Sequence, residues 1–216
     1  MPCSNELNLL VHTMFKSIIF DWGGVLIDDP EPGFLAYLSN YFHLPEEKLR
    51  EAREECWMDF QRGTISEQEY WQKCCAVIQK RVPADHSFYL NMCRKVFHER
   101  PTMFELVQSC KEQGYTVALL SNCEVPPMQY FHENLEKGYN VFEVTTFSAA
   151  EGCIKPEPLI YERTLTKLGV EPTEAIFIDD KVKYVEGAQA VGIHGILFQS
   201  EEQVRRELQG LGIKIK

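Results

Sequence analysis

Polar residues that could bind a metal ion or phosphate stand where three apolar runs of the sequence end. Asp21 follows the run IIF, and Ser121 and Asn122 follow the run VALL. Asp179 and Asp180 follow the run AIFI. An aspartate before Gly-Gly is, taken alone, more often a turn former than a functional group. The interpretation of Asp21 therefore depends on the partners that the rest of the chain supplies.

The residue types at these run ends favour phosphate chemistry. Carboxylates from two separate runs form an oxygen site that suits Mg²⁺, which takes one or two carboxylates together with water and phosphate. Lys155, just before Pro156, and the Ser-Asn pair supply donors for phosphate oxygens. The backbone N–H groups of Trp22 and Gly23 can do the same beside Asp21. One explanation covers all of them: Asp21 attacks phosphorus while a metal ion and Lys155 neutralise the developing charge.

These residues can meet only if the runs are neighbouring strands. The sequence predicts strands at Lys16 to Asp21, Thr116 to Leu120, Tyr139 to Phe147, Ala175 to Ile178 and Gly195 to Phe198. Helices are predicted at Pro101 to Gln113, about Met128 to Lys137, Pro156 to Leu168 and Val185 to Val191. Strands that alternate with helices predict an α/β fold with a doubly wound parallel sheet. Ligands bind at the carboxyl ends of such strands, where the polar residues stand.

A long stretch with helical periodicity, Phe34 to Phe97, separates the first two strands. Four helices are predicted in it, one of which begins with a capping box formed by Ser66 and Glu69. Since no strand interrupts the stretch, we expect a helical-bundle cap inserted into the sheet domain. The predicted domains are an N-terminal extension (1–14), an α/β core (15–31 and 99–216) and a helical cap (32–98).

Composition and charge narrow the classes of partner. The 216 residues carry a formal net charge of -10 and contain no basic cluster, which argues against nucleic acid and against an anionic membrane surface. The eight cysteines form no CxxC pair, and the first residues lack the pattern of a signal peptide. We therefore expect free thiols and a cytoplasmic location. The sequence does not distinguish a monomer from a homodimer.

Four segments together resemble the motifs of the haloacid dehalogenase-like (HAD) hydrolases. They are FDWGGVL, LLSN, GCIKPEP and FIDDKVKYVEGAQAVGI, in the order and spacing of that family. The resemblance runs from about Lys16 to Phe198, and the helical insertion is similar to the family's first type of cap. The segments RGTIS, KPEPLIY and IDD resemble, more narrowly, bacterial sugar-phosphate phosphatases and the phosphatase domain of soluble epoxide hydrolases.

The resemblance implies a role for each motif residue in a Rossmann-like core. Asp21 is the implied nucleophile, which becomes an aspartyl-phosphate. The implied phosphoryl-binding groups are Ser121, Asn122, Lys155 and the backbone of Trp22 and Gly23. The implied Mg²⁺ ligands are Asp21, the Gly23 carbonyl, Asp180 and, in support, Asp179. The expected activity is Mg²⁺-dependent hydrolysis of a small phosphomonoester such as a sugar phosphate.

Gly23 departs from the pattern of the family's phosphatases. They commonly carry a second aspartate there, which serves as general acid and base. Because such catalysis is worth about 10²–10⁴-fold, its loss predicts a slower or more selective enzyme. Asp28 or Asp29 standing in for the missing acid is one hypothesis. A second departure is Tyr184, where asparagine is common in the fourth motif.

Two alternatives from other classes stay open at this stage. In a metal-independent 2-haloacid dehalogenase, Asp21 would attack carbon instead of phosphorus. Asp179 and Asp180 argue against it, because three adjacent carboxylates repel one another unless a cation lies among them. The other alternative is a weakened phosphate-binding or interaction protein that lacks the carboxylate at Gly23.

Overall fold

A five-stranded parallel sheet forms the centre of the described part of the chain, residues 15–135 and 141–215, in this computed structural model. Its strands are β1 (Ser17–Phe20), β2 (Thr116–Ser121), β3 (Val144–Phe147), β4 (Ala175–Asp179) and β5 (His194–Leu197). The strand order is β3-β2-β1-β4-β5, and every neighbouring pair is parallel. The predicted doubly wound α/β fold is therefore confirmed.

Helices connect the strands and cover the sheet. Between β1 and β2 lie α1 (Pro30–Phe42), α2 (Glu46–Glu54), α3 (Trp57–Gln61), α4 (Glu67–Ile78), α5 (Phe88–Val96) and α6 (Pro101–Glu112). The later helices are α7 (Val125–Tyr130), α8 (Ser148–Glu151), α9 (Pro158–Leu168), α10 (Val182–Ala190) and α11 (Glu201–Gly210). A π-helical turn, Phe131–Leu135, follows α7.

Local sequence explains where several helices begin. The predicted capping box is present at α4: Ser66 Oγ accepts a hydrogen bond from the Glu69 N–H, and the Glu69 carboxylate accepts one from the Ser66 N–H. Proline stands in the first turn of α1, α6, α7 and α9, where its missing N–H removes no helical bond.

The structure differs from the prediction in several elements. Five helices precede α6 instead of four, because the chain between Pro45 and Gly63 forms two helices, α2 and α3, which are separated at Glu55 and Cys56. Helix α1 also begins at Pro30, before the predicted start of the helical stretch at Phe34. The short α8 and the final helix α11 were absent from the prediction. The predicted strand start at Tyr139, the predicted helix end at Lys137 and the predicted extension 1–14 lie outside the described residues.

Both faces of the sheet are buried, as a parallel sheet covered by helices requires. Along β1 the side chains alternate between two clusters: Ile18 and Phe20 belong to the larger one, and Ile19 belongs to the smaller one. The larger cluster continues without a break into the helices α1 to α5. The first strand is the middle strand of the sheet, and all four of its residues are fully buried.

The segments that enter and leave the helical stretch α1 to α5 are bonded to each other. The Asp28 N–H donates to the His98 carbonyl at 2.9 Å, and the Arg100 N–H donates to the Leu26 carbonyl at 2.9 Å. Ile27 and Glu99 form the antiparallel bridge between these two bonds. The two connections between the sheet and the helical stretch therefore lie side by side.

None of the helices in the described ranges has the length and apolar character that crossing a bilayer requires.

Candidate active site

Asp21 lies one residue past the carboxyl end of the central strand. Its N–H donates to the Ile178 carbonyl of β4 at 2.9 Å, which extends the sheet by one residue and fixes the backbone. The residue is 5% exposed. The sequence prediction that β1 delivers a single carboxylate to the sheet edge agrees with this position.

Lys155 joins Asp21 to Asp179. Its Nζ lies 2.7 Å from Asp21 Oδ1 and 2.5 Å from Asp179 Oδ2, and it donates to the Leu120 carbonyl at 3.2 Å. The lysine is only 1% exposed, and Asp179 is fully buried. A buried cation held by two carboxylates and a carbonyl has all three of its protons engaged. The site is therefore built around a buried ion-paired network of one cation and two carboxylates.

Burial and charge act in opposite directions on this network. Burial raises the pKa of Asp21, Lys155 lowers it, and Asp179 raises it again, so that its pKa lies above the usual range. Burial lowers the pKa of Lys155, but Asp179 and Asp21 outweigh it and hold the pKa above its usual range. Lys155 is consequently a permanent positive charge beside Asp21.

Three carboxylates meet at the sheet edge. Single oxygens of Asp21, Asp179 and Asp180 lie within 4.8 Å of one another. Asp180 Oδ2 pairs with Lys181 Nζ at 2.7 Å, while the buried Oδ1 has no hydrogen-bond partner among the described residues. An unpartnered buried carboxylate oxygen beside two further carboxylates fits a hard cation such as Mg²⁺.

Gly24 makes room for this cluster. Its φ of +87° lies in the region that favours glycine, and a Cβ there would stand 2.5 Å from Asp180 Oδ2. Arg100 fixes the same turn, because it donates to the Gly24 carbonyl at 2.7 Å and to Asp28 Oδ1 at 2.9 Å. The Trp22 N–H interacts with the Asp21 carboxylate and lowers its pKa. The Asp180 carboxylate therefore leaves no room for a side chain at position 24.

Asn122 holds the backbone of Lys155. Its Oδ1 accepts from the Lys155 N–H at 2.7 Å, and its Nδ2 donates to the Lys155 carbonyl at 3.1 Å. Nδ2 also donates to the Tyr184 hydroxyl at 3.3 Å, so tyrosine supports this amide where asparagine is common. Ser121, the last residue of β2, lines the same cavity as Asp21.

A cavity of about 290 Å³ opens from Asp21 toward the helical stretch. Its apolar walls are Trp22, Ile27, Phe34, Trp57, Phe97 and Pro127. Charged and polar side chains from the helices also line it, among them Arg53 and Gln61. The guanidinium of Arg53 lies 4.0 Å from the centre of the Trp57 ring. Core and helical stretch thus enclose one mixed polar and aromatic chamber.

Sequence reasoning missed Glu124, Arg53 and Arg100. Glu124 is buried in the cavity wall, and burial raises its pKa to about 7. A signal for it existed, since a glutamate two positions after Asn122 lies just past a strand that ends in site residues. Arg53 and Arg100 stand in charged helical surroundings that gave no such signal.

The two candidate stand-ins for the missing acid are engaged elsewhere. Asp28 is exposed and paired with Arg100. Asp29 begins α1, where its Oδ1 accepts from the Glu31 N–H at 3.1 Å, and its Oδ2 lies 3.4 Å from Lys181 Nζ. Asp28 is not among the residues that line the cavity, whereas Asp29 lines it with its carboxylate held by the Glu31 N–H and Lys181.

Comparison with known proteins identifies relatives along most of the chain. A sequence model of the family described as haloacid dehalogenase-like hydrolase matches residues 15–192. The chain is 29% identical to the sesquiterpene phosphatase astK of Aspergillus oryzae over 85% of this chain and 90% of that protein. It is 28% identical to acyl-CoA dehydrogenase family member 10 of Mus musculus over 91% of this chain, but spans only 19% of that protein's length.

Solved structures show the same fold. A HAD family enzyme of Bacteroides thetaiotaomicron superposes with a TM-score of 0.74 at 22% identity, covering 91% of this chain and 99% of that one. The wild-type Bacteroides enzyme in complex with magnesium and inorganic phosphate superposes with a TM-score of 0.68 at 23% identity, covering 87% and 96% of the two chains. At this level of identity the likeness establishes the fold.

Proposed function

The chain belongs to the haloacid dehalogenase-like hydrolases, and we propose that it hydrolyses small phosphomonoesters with Mg²⁺ through an aspartyl-phosphate on Asp21. The observation that carries this proposal is the meeting of three carboxylates and one buried lysine at the end of the central strand. The phosphatase among its relatives and the magnesium and phosphate bound by the Bacteroides enzyme support it.

In the first step Asp21 attacks the phosphorus atom. Lys155 Nζ donates a hydrogen bond to Asp21 Oδ1, which leaves Asp21 Oδ2 as the attacking oxygen. As the new bond to phosphorus forms, the bond to the ester oxygen breaks, and that oxygen leaves with a proton as an alcohol. Lys155 and the backbone N–H of Gly23 would stabilise the charge on the transferred phosphoryl oxygens. Ser121 and Asn122 complete the proposed phosphate-binding set, Asn122 by holding Lys155 in place.

In the second step water attacks the phosphorus of the aspartyl-phosphate. The bond between phosphorus and Asp21 breaks, inorganic phosphate leaves, and the carboxylate is regenerated. Asp21, Asp180 and the Gly23 carbonyl would hold Mg²⁺, with Asp179 in support through Lys155. When bound, the ion supplies Lewis-acid neutralisation of phosphoryl charge.

The helical stretch between β1 and β2 is proposed to act as a cap, residues 32–98, that selects the substrate. It meets the core at three consecutive positions: the Gln61 carbonyl accepts from Ser148 Oγ at 2.6 Å, Arg62 pairs with Glu157, and Gly63 lies against the Ala149 carbonyl. A polar and aromatic chamber of this size suits a small polar leaving group, so a sugar phosphate is the proposed substrate.

The proposal is tested with p-nitrophenyl phosphate and a panel of sugar phosphates in the presence of Mg²⁺. We expect turnover that is lost in EDTA and lost in Asp21→Asn, with ³²P from the substrate trapped on the wild-type protein by acid quench. Mg²⁺-dependent turnover that survives Asp21→Asn would rule out Asp21 as the nucleophile. Halide release from a 2-haloacid in EDTA would instead favour the dehalogenase.

A further inference from the structure

The carboxyl group of Glu124 has no assigned role, yet it lies in the wall of the same cavity as Asp21. The residue follows Cys123 past the end of β2 and is 4% exposed. It stands at the N-cap of α7, but its side chain makes no capping hydrogen bond. Its Oε1 has no hydrogen-bond partner anywhere in the described ranges. A buried, unpartnered oxygen in a reaction chamber calls for a chemical explanation.

The proposed reaction needs a proton that Gly23 cannot supply. When phosphorus transfers to Asp21, the alkoxide that leaves must be protonated, and the water that later attacks must lose a proton. Residue 23, where a carboxyl could do both, has no side chain. Another group in the cavity must therefore carry the proton.

Among the carboxyl groups of the described residues that line the cavity, Glu124 is the one suited to this task. Asp21 and Asp180 belong to the proposed nucleophile and metal cluster. Asp29 begins α1 and faces Lys181, and Glu31 is paired with Arg50 at 2.6 Å. Glu124 lines the cavity and keeps a buried oxygen, Oε1, without a hydrogen-bond partner among the described residues.

The surroundings of Glu124 keep it close to half protonated near neutral pH. Burial raises its pKa to about 7, while its own backbone N–H, Arg53 and Gln61 act against the rise. The other titratable groups that face it are Tyr70 on α4, Tyr89 and Cys93 on α5, and the adjacent Cys123, and burial raises the pKa of each. Arg53 is thus the charged neighbour, and the remaining neighbours are uncharged at neutral pH.

We propose that Glu124 is the general acid and base of the reaction, in place of the carboxyl that Gly23 lacks. In the first step its carboxyl proton passes to the ester oxygen as the phosphorus–oxygen bond breaks. In the second step its carboxylate takes a proton from the attacking water, which restores the acid as phosphate leaves. This assignment rests on the phosphatase function proposed above.

The decisive experiment compares two leaving groups in Glu124→Gln by rapid quench with Mg²⁺ present. p-Nitrophenolate leaves without a proton, whereas glycerol requires one. With p-nitrophenyl phosphate we expect a burst of about one p-nitrophenolate per active site, followed by a steady rate lowered about 10²–10⁴-fold. With glycerol phosphate we expect no burst, because both steps are slowed.

The pH dependence gives a second measure. In the wild type the rate of alcohol release from glycerol phosphate should fall above about pH 7, and this fall should be missing in Glu124→Gln. The matched control is Glu67→Gln, which removes a second glutamate whose pKa burial raises. Glu67 is half-buried, lies outside the cavity lining, and accepts hydrogen bonds from the Trp71 side chain and the Tyr89 N–H. The control should keep the wild-type rates on both substrates.

Each outcome decides between distinct conclusions. The assignment is overturned if Glu124→Gln hydrolyses glycerol phosphate at the wild-type rate. It is also overturned if the variant loses activity equally on both substrates and shows no burst. A burst confined to p-nitrophenyl phosphate supports it and also shows that the variant is folded. A wild-type protein that releases no phosphate from either substrate with Mg²⁺ would contradict the phosphatase function itself.

Discussion

Replacing Lys155 by methionine removes a buried cation from between two carboxylates and keeps the length and apolar volume of the side chain. Asp21 and Asp179 would then lie in the interior without the ammonium that is 2.7 and 2.5 Å from them. Breaking a buried ion pair from one side costs about 3–5 kcal/mol, since it leaves uncompensated charge. That is a large part of the 5–15 kcal/mol by which domains are typically stable.

Urea unfolding of both proteins near neutral pH, followed by circular dichroism, measures this cost. We expect the loss to shrink as the pH falls, because burial already raises the pKa of Asp21 and removal of Lys155 raises it further, so that protonation removes the unpaired charge. Mg²⁺ should restore part of the lost stability if it binds the folded protein.

The control is Lys167→Met, which breaks the solvent-exposed pair between Lys167 and Glu151. Exposed pairs contribute about 0–1 kcal/mol, so this variant should remain close to the wild type. If Lys155→Met were also within about 1 kcal/mol of the wild type, the buried network would not have the stabilising role that its geometry assigns to it.

Three further predictions concern stability. Gly24→Ala should lower the unfolding free energy, measured in urea, by about 1–3 kcal/mol and weaken Mg²⁺ binding in calorimetry, since its Cβ would strike Asp180. The control is Gly152→Ala, at a φ of +69° with open space around it, which should lower the unfolding free energy only by the backbone strain of about 1–2 kcal/mol. For Glu124 the folded pKa of about 7 lies above the usual value of 4.5, so its favourable contribution to stability is complete below about pH 4.5 and is lost by about pH 7. The unfolding free energy of Glu124→Gln minus that of the wild type should therefore rise by about 3 kcal/mol across that range, and a flat difference would contradict the raised pKa. Ser66→Ala should lower the unfolding free energy by about 1 kcal/mol through loss of the capping box at α4, and an unchanged midpoint in thermal unfolding would show that this helix end is stabilised by packing alone.

The strand ends were predictable from sequence because their signal is local. A short buried strand is a continuous apolar run, and a polar residue at its end is visible without knowledge of the tertiary fold. Asp21 and Asp179 were identified in this way, whereas Lys155 was identified in the loop just before Pro156. The structure places the Lys155 Nζ within hydrogen-bond distance of both carboxylates. Parallel pairing then places every carboxyl end at one edge, so the fold class and the meeting of these residues follow together.

The roles that depend on tertiary contacts were not predictable. Asn122 has the residue type of a phosphate ligand, and only the structure shows that both ends of its amide hold the Lys155 backbone. Glu124 is separated from Arg53 and Gln61 by more than 60 positions in sequence, so burial of its carboxyl could not be inferred from local pattern. The final helix α11 did carry a signal, because Ser200 caps the Gln203 N–H.

The paired segments at 26–28 and 98–100 have a consequence for the motion of the helical stretch. Two independent connections would let the helices tilt, twist and slide over the chamber. Here both connections are hydrogen-bonded to each other beside the Gly24 turn, and Arg100 anchors one of them to that turn. A rotation of the helices about these paired connections would therefore load the turn that carries Gly23 and Gly24.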